Sequence, residues 1–280
     1  MKLITYRYGE RESVGALLGN EVAPIPQYAS MLDLVRNCPL ADLPKKMAKT
    51  RLPLAQVQVC APIPHPTQDV ICLGMNFADH TVEAARFHPN MVREDYPVYF
   101  AKRVNRAPGD GEEINGHFDV TAKADYEVEV AFVIRRDAYQ VKPEEAEDYV
   151  FGYMILNDLS ARDLQNRHKQ FYLGKSLDGY TPMGPCLVTK DEFTYPPEIQ
   201  LKSYVNGELR QNGNTRNWIY GIDYVIADLS QVMTLQAGTI ITMGTPAGVG
   251  MGFEPPKFLK SGDVIRCEAE GLGSLTNTLV

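Results

Sequence analysis

Asp125-Tyr126-Glu127-Val128-Glu129-Val130-Ala131-Phe132-Val133-Ile134 is the stretch on which the reading of the fold turns. As a strand, its period of two sets Glu127 and Glu129 on one face and Val128, Val130 and Phe132 on the other. Two carboxylates side by side on a largely apolar strand repel each other, and they cost free energy unless water or a cation lies between them. An E-x-E pair is more often a solvated strand face. Here Ala131 and Val133 continue the acidic face as apolar residues, which places the glutamates at the mouth of something rather than on an open surface.

Outward from this strand the pattern is dominated by more strands, over 70–73, 98–100, 150–157, 199–205, 240–243 and 264–268. Asn206-Gly207 is a strong hairpin turn. Helical periodicity is confined to 77–87, 160–170 and 223–231. Strands and helices do not alternate regularly, which argues against a doubly wound sheet and for a mixed, β-rich α+β roll or barrel with a few helices. Ahead of it, 2–8, 14–18 and 22–25 read as strands with a turn at Gly19-Asn20, and Ser30 caps a short helix over 31–35. Pro53, Pro62, Pro64 and Pro66 then forbid a long regular element. The expected organisation is a small N-terminal β domain with its linker over 1–66, followed by a catalytic β-roll over 67–280.

The chain has 280 residues, ample for a dry core. Its 44% hydrophobic and 9% aromatic residues are ordinary for a globular protein and too many for a disordered one. No apolar run reaches the roughly 18 residues of a membrane span, and the first ten residues are too polar for a signal peptide. With 28 Lys+Arg against 35 Asp+Glu, a net charge of −7, and no basic block, nucleic acid is not the expected partner. The five cysteines are scattered, with no C-x-x-C pair, as in a cytoplasmic protein with reduced thiols and no cysteine zinc site.

A third acid, Asp158, ends the strand over 150–157, at a strand-to-helix corner where side chains tend to face a cleft. Ser160 and Asp163 make a capping-box pattern, so Asp163 reads as structural. Three carboxylates with no His or Cys among them favour Mg²⁺ or Mn²⁺, with Ca²⁺ as the alternative and Zn²⁺ disfavoured. Three ligands of about six leave positions for substrate oxygens and water. Asn76 reads as the N-cap of the helix over 77–87, on which His80 and Glu83, three apart, share a face. A carboxylate beside an imidazole raises its basicity and orients it, as a general base requires, although such i,i+3 pairs are common on surfaces. Lys102 and Lys175 could each present a positive charge to an anionic substrate or simply be solvated. The run 244–250 (GTPAGVG) lacks a P-loop ending and opens no βαβ unit, which excludes a nucleotide loop. Its glycines imply a sharply turning backbone or a close approach to a ligand.

Taken in order, these segments resemble the fumarylacetoacetate hydrolase family, over roughly residues 70–280. The resemblance rests on 76–83 (NFADHTVE), 125–129 (DYEVE), 152–165 (GYMILNDLSARDLQ), 174–185 (GKSLDGYTPMGP), 244–250 (GTPAGVG) and 258–263 (FLKSGD). It implies that Glu127, Glu129 and Asp158 bind Mg²⁺ or Mn²⁺, and that His80 and Glu83 form a dyad on a lid over 83–97. Lys102, Arg162, Gln165, Lys175 and Thr245 sit at positions similar to those that contact substrate or support the metal shell. Phe77 stands where many members have Tyr. The resemblance further implies a homodimer acting on small anionic β-diketo or 2-oxo acids. In the expected reaction, His80 activates a water for hydrolytic C–C cleavage, and Lys175 steadies the developing charge. The products are a carboxylate and a 2-oxo acid such as pyruvate. Oxaloacetate decarboxylation and hydroxymuconate-type isomerisation or decarboxylation on the same metal site are the alternatives.

Overall fold

In the computed structural model, which describes residues 1–84, 96–167 and 170–280, the strand Val128–Ile134 lies deep inside an eleven-stranded mixed sheet, buried at every position. It pairs antiparallel with Val150–Asn157 on one side, in a register running from Val128↔Asn157 to Ile134↔Val150, and with Ile240–Thr242 on the other. Ile240–Thr242 runs parallel to Val70–Gly74, and Val98–Lys102 closes that edge. On the opposite side Val150–Asn157 pairs with Met183–Thr189, and Met183–Thr189 pairs with Lys2–Tyr8, so the leading strands extend the same sheet. A second sheet of five strands has the order Glu208–Asn214, Gln200–Val205, Val264–Ala269, Gly273–Leu279, Glu113–Ile114. The architecture is the expected mixed, β-rich α+β class.

Alternation along Val128–Ile134 assigns its residues to two cores. Val128, Val130, Phe132 and Ile134 join a core between the sheets with Tyr153, Ile155, Leu201, Ile265 and Leu275. Ala131 and Val133 point to a core on the other face with Leu3, Leu34, Val70, Met154 and Leu187. A strand covered on both faces reads as a continuous apolar run, and this one does so from Val130 onward. Glu127 and Glu129 lie on the Ala131 and Val133 side at the strand's start, where the second core gives way to a cavity.

Local signals hold in several places. Ser30 Oγ accepts from the Asp33 N–H (3.1 Å), capping the helix Met31–Asn37. Asn206 and Gly207 both take positive φ (51° and 83°) in the two-residue turn between Val205 and Glu208, as a type I′ hairpin demands. All five cysteines are free and buried.

Two expectations about caps need correction. The Asn76 side chain does not cap the helix, which spans Ala78–Ala84. It donates to the carbonyls of Tyr220 (3.1 Å) and Met243 (2.9 Å) and accepts from the Tyr220 N–H (2.8 Å). Ser160 and Asp163 form no capping box either, because Ser160–Ala161 is a short strand paired with Ala124–Asp125. Asp163 is structural in another way, accepting from Thr121 Oγ1 (2.6 Å) and the Ala122 N–H (3.0 Å). Asn76 is taken by distant partners, whereas the Ser160 hydroxyl donates to the Asp158 carbonyl two residues earlier (2.9 Å). Residues 85–95 of the expected helix and lid, and 168–169 of the helix expected over 160–170, lie outside the described residues.

Phe132 is fully buried where the two sheets meet. Phe132→Ala should lower the unfolding free energy by about 3–5 kcal/mol through lost burial and the cavity left behind. Denaturant unfolding measures this, and a change under about 0.5 kcal/mol would place the residue outside the core.

Candidate active site

Three carboxylates meet where strand ends converge. Glu129 lies at the start of Val128–Ile134, Glu127 one step before it, and Asp158 just past the end of Val150–Asn157. Each turns one oxygen to within 4.8 Å of the others, the one such group of three or more potential ligands found among the described residues. All three are buried, Asp158 completely, so the solvated-face reading of the E-x-E pair does not hold. The Asp158 N–H donates to the Glu127 carbonyl (2.8 Å), which fixes the corner against the strand.

Neutralising partners arrive from every side. Lys175 Nζ donates to Glu127 Oε2 and Asp158 Oδ2, both at 2.7 Å. Lys102 Nζ pairs with Asp158 Oδ1 and donates to the Leu159 carbonyl (2.9 Å). Neither lysine is solvated: Lys102 is 0% and Lys175 2% exposed. Arg162 pairs with Glu127 Oε1 through Nη2 (2.6 Å), and donates from Nε to Asp125 Oδ2 (2.9 Å) and from Nη1 to Gln165 Oε1 (3.0 Å). Among the described residues Glu129 has no basic partner of this kind. It accepts from Thr242 Oγ1 (2.5 Å) and the Gly244 N–H (3.0 Å).

The charges respond accordingly. Burial pushes the Glu127 carboxyl up, but Lys175 and Arg162 together outweigh it and hold it below the usual carboxylate range. Burial, and then the charges of Asp158 and Glu127, push Glu129 well above that range. Burial lowers the Lys102 ammonium against the pull of Asp158, whereas Asp158 and Glu127 overcome burial to raise Lys175.

This donor set fits a hard divalent cation. It is oxygen-only, it is clustered, and one member gains a neutralising partner if an ion binds. Glu127, Glu129 and Asp158 are the residues that would hold it.

The helix Ala78–Ala84 follows Val70–Gly74 directly, and His80 and Glu83 face the same cavity as the acids. His80 Nδ1 lies 3.0 Å from Glu83 Oε2, and both side chains are about nine-tenths buried, at 11% and 13% exposure, so this is no surface pair. The space among the side chains of this cavity, its solvent-open mouth included, amounts to about 560 Å³. Eight of the residues expected from sequence line it: His80, Glu83, Glu127, Glu129, Arg162, Gln165, Lys175 and Thr245. Lys102 and Asp158 stand behind them, joined through their ion pair. Leu73, Met75, Phe100, Phe171, Val249 and Met251 supply an apolar wall. Phe77 is fully buried against Trp218, at 6.4 Å between ring centroids, and does not line the cavity.

Thr245 donates to the Val128 carbonyl (2.9 Å) and accepts from Gln211 Nε2 (2.7 Å). Gln211 Oε1 in turn accepts from the Val128 N–H (3.0 Å), so Gln211 pins the strand start; nothing in its local sequence marks it. Asp125, which anchors Arg162, was also overlooked as a site residue. The signal was present, because 125, 127 and 129 share one parity in the acidic stretch.

Cation binding should displace the proton that burial and its neighbours favour on Glu129. Apparent Mn²⁺ affinity should therefore rise with pH, and calorimetric titrations in buffers of different ionisation enthalpy should reveal proton release. Affinity independent of pH, with no proton released, would separate Glu129 from the ion.

A profile described as the fumarylacetoacetate (FAA) hydrolase C-terminal family matches residues 69–280. Oxaloacetate tautomerase YisK of Bacillus subtilis is 45% identical over 226 residues, covering 81% of this chain and 74% of that protein. Among solved structures, the fumarylacetoacetate hydrolase of Exiguobacterium antarcticum superposes with a TM-score of 0.87 at 36% identity, covering 100% and 99% of the two chains. Maleylpyruvate hydrolase from Sphingobium sp. SYK-6, solved with manganese(II) and pyruvate, gives 0.77 at 28% identity with the same coverage. With its buried acidic triad and roll of sheets, the chain belongs to the fumarylacetoacetate hydrolase family of enzymes.

Proposed function

We propose that the protein interconverts the keto and enol forms of a small 2-oxo dicarboxylic acid, oxaloacetate being the first candidate, on a site loaded with Mg²⁺ or Mn²⁺. The observation that carries this reading is that His80 and Glu83, 3.0 Å apart, open onto the cavity lined by Glu127 and Glu129 of the acidic cluster. The similarity to an oxaloacetate tautomerase at 45% identity directs the choice of substrate.

A cation held by Glu127, Glu129 and Asp158 would supply Lewis-acid polarisation of the 2-oxo group. With Glu83 accepting at Nδ1, His80 carries its proton there and offers Nε2 as the base. Nε2 takes a proton from C3; the C–H electron pair forms the C2–C3 double bond, and the 2-oxo oxygen takes up the charge. Returning the proton to that oxygen completes the enol. Lys175 gives two of its three N–H groups to Glu127 and Asp158, which leaves the third for the developing oxyanion.

The hydrolytic reading expected from the sequence keeps one specific support, the apolar wall of Leu73, Met75, Phe100, Phe171, Val249 and Met251. That wall suits an acylpyruvate with an apolar acyl group, whose distal carbonyl a water activated by His80 would attack. The two readings separate in one panel of assays.

Enol-oxaloacetate should ketonise faster with enzyme than without, read as loss of enol absorbance. EDTA should abolish the acceleration, and Mn²⁺ or Mg²⁺ should restore it. His80→Ala and Glu83→Gln should each lose about 10²–10⁴-fold in kcat while still binding Mn²⁺. Release of pyruvate and a carboxylate from acylpyruvates, with no effect on enol-oxaloacetate, would replace the tautomerase reading with the hydrolytic one.

A further inference from the structure

The glycine run that the sequence left open, turning sharply or approaching a ligand, closes on the protein's own carboxylates. The Gly244 N–H donates to Glu129 Oε2 (3.0 Å), the Gly248 N–H to Glu83 Oε1 (2.9 Å), the Gly250 N–H to Asp125 Oδ1 (2.6 Å) and the Met251 N–H to Asp125 Oδ2 (3.1 Å). One loop thereby fixes a member of the acidic triad, the acid of the dyad and the anchor of Arg162.

Gly252 donates to none of these acids, yet its missing side chain decides where one of them sits. It ends the single 3₁₀ turn Gly250–Gly252, and its φ lies outside the left-handed region, so backbone conformation does not call for glycine there. Space does. A Cβ on Gly252 would overlap Oε1 and Cδ of Glu83 and come within 2.9 Å of Cγ. Glu83 rides on the helix Ala78–Ala84. Its carboxylate is oriented by the Gly248 amide, 165 residues away in sequence, and the slot over Gly252 admits it to that amide.

We propose that Gly252 is a positioning residue. By presenting no side chain it gives Glu83 the seat from which it reaches the Gly248 N–H with one oxygen and His80 Nδ1 with the other. The catalytic consequence rests on the dyad reading given above; the packing consequence does not.

Gly252→Ala and Glu83→Ala, made singly and together, test this. Gly252→Ala should lower Tm in the wild-type background and change it little in the Glu83→Ala background, where the clashing side chain is gone. Equal losses in both backgrounds would overturn the proposal, and this comparison stands even if Gly252→Ala alone folds poorly. Gly252→Ala should lower kcat on the order of 10²-fold. Mn²⁺ affinity should stay within about twofold of wild type, because the triad is untouched. Wild-type kcat in Gly252→Ala, or a loss of Mn²⁺ affinity as large as the loss of kcat, would also overturn it. Full activity in Glu83→Gln would instead remove the dyad, and with it the catalytic role of Gly252, while the stability coupling between positions 83 and 252 persisted.

Discussion

Three carboxylates brought within 4.8 Å of one another in a buried setting set the constraint that the surrounding structure answers. Leaving even one such charge unpaired in the interior costs several kcal/mol. Each neighbouring element delivers a compensating group. Val98–Lys102 brings an ammonium in at its last residue, the turn Tyr172–Lys175 brings another, and the helix Arg162–Arg167 opens with a guanidinium. The loop after Ile240–Thr242 brings amides. The arrangement is asymmetric: Glu127 and Asp158 pair with Lys102, Lys175 and Arg162, while Glu129, among the described residues, accepts from neutral donors only. That asymmetry leaves one carboxylate whose charge an added cation would balance.

The dyad depends on the same loop. The helix that carries His80 and Glu83 fixes their spacing but not their direction. Direction comes from the Gly248 amide and from Asn76, whose side chain ties the chain before the helix to Tyr220 and Met243. Glu129 of the acidic cluster and Glu83 of the His80 pair are thus both held by backbone amides of a single segment, those of Gly244 and Gly248. Rigid placement of this kind is what makes a proton transfer efficient once substrate is bound.

Sequence legibility followed the range of the interactions. The helix cap at Ser30 and the Asn206-Gly207 hairpin were readable because their partners lie within a few residues, and the strand at 128–134 because its period of two is written in consecutive residues. Asn76 and Ser160 were misread for the complementary reason. The fold brings Tyr220 and Met243 to the Asn76 side chain, and it pairs the Ser160 backbone with Asp125 in a strand. Lys102 and Lys175 show the same limit, since a lone lysine in a sequence is solvated by default and only convergence with Asp158 buries it. Gln211 carried no signal at all, because its role is defined by Val128 and Thr245, 83 and 34 residues away.

By itself the sequence determined the class of fold and the family: the alternation in 125–134 and the ordered motifs carry that information residue by residue. Tertiary structure alone decided which acid is left, among the described residues, without a basic partner, which lysines are buried, and what a side chain at Gly252 would meet. Those properties are electrostatic and steric sums over groups far apart in the chain. They have no value until the sheets bring those groups to within hydrogen-bonding distance.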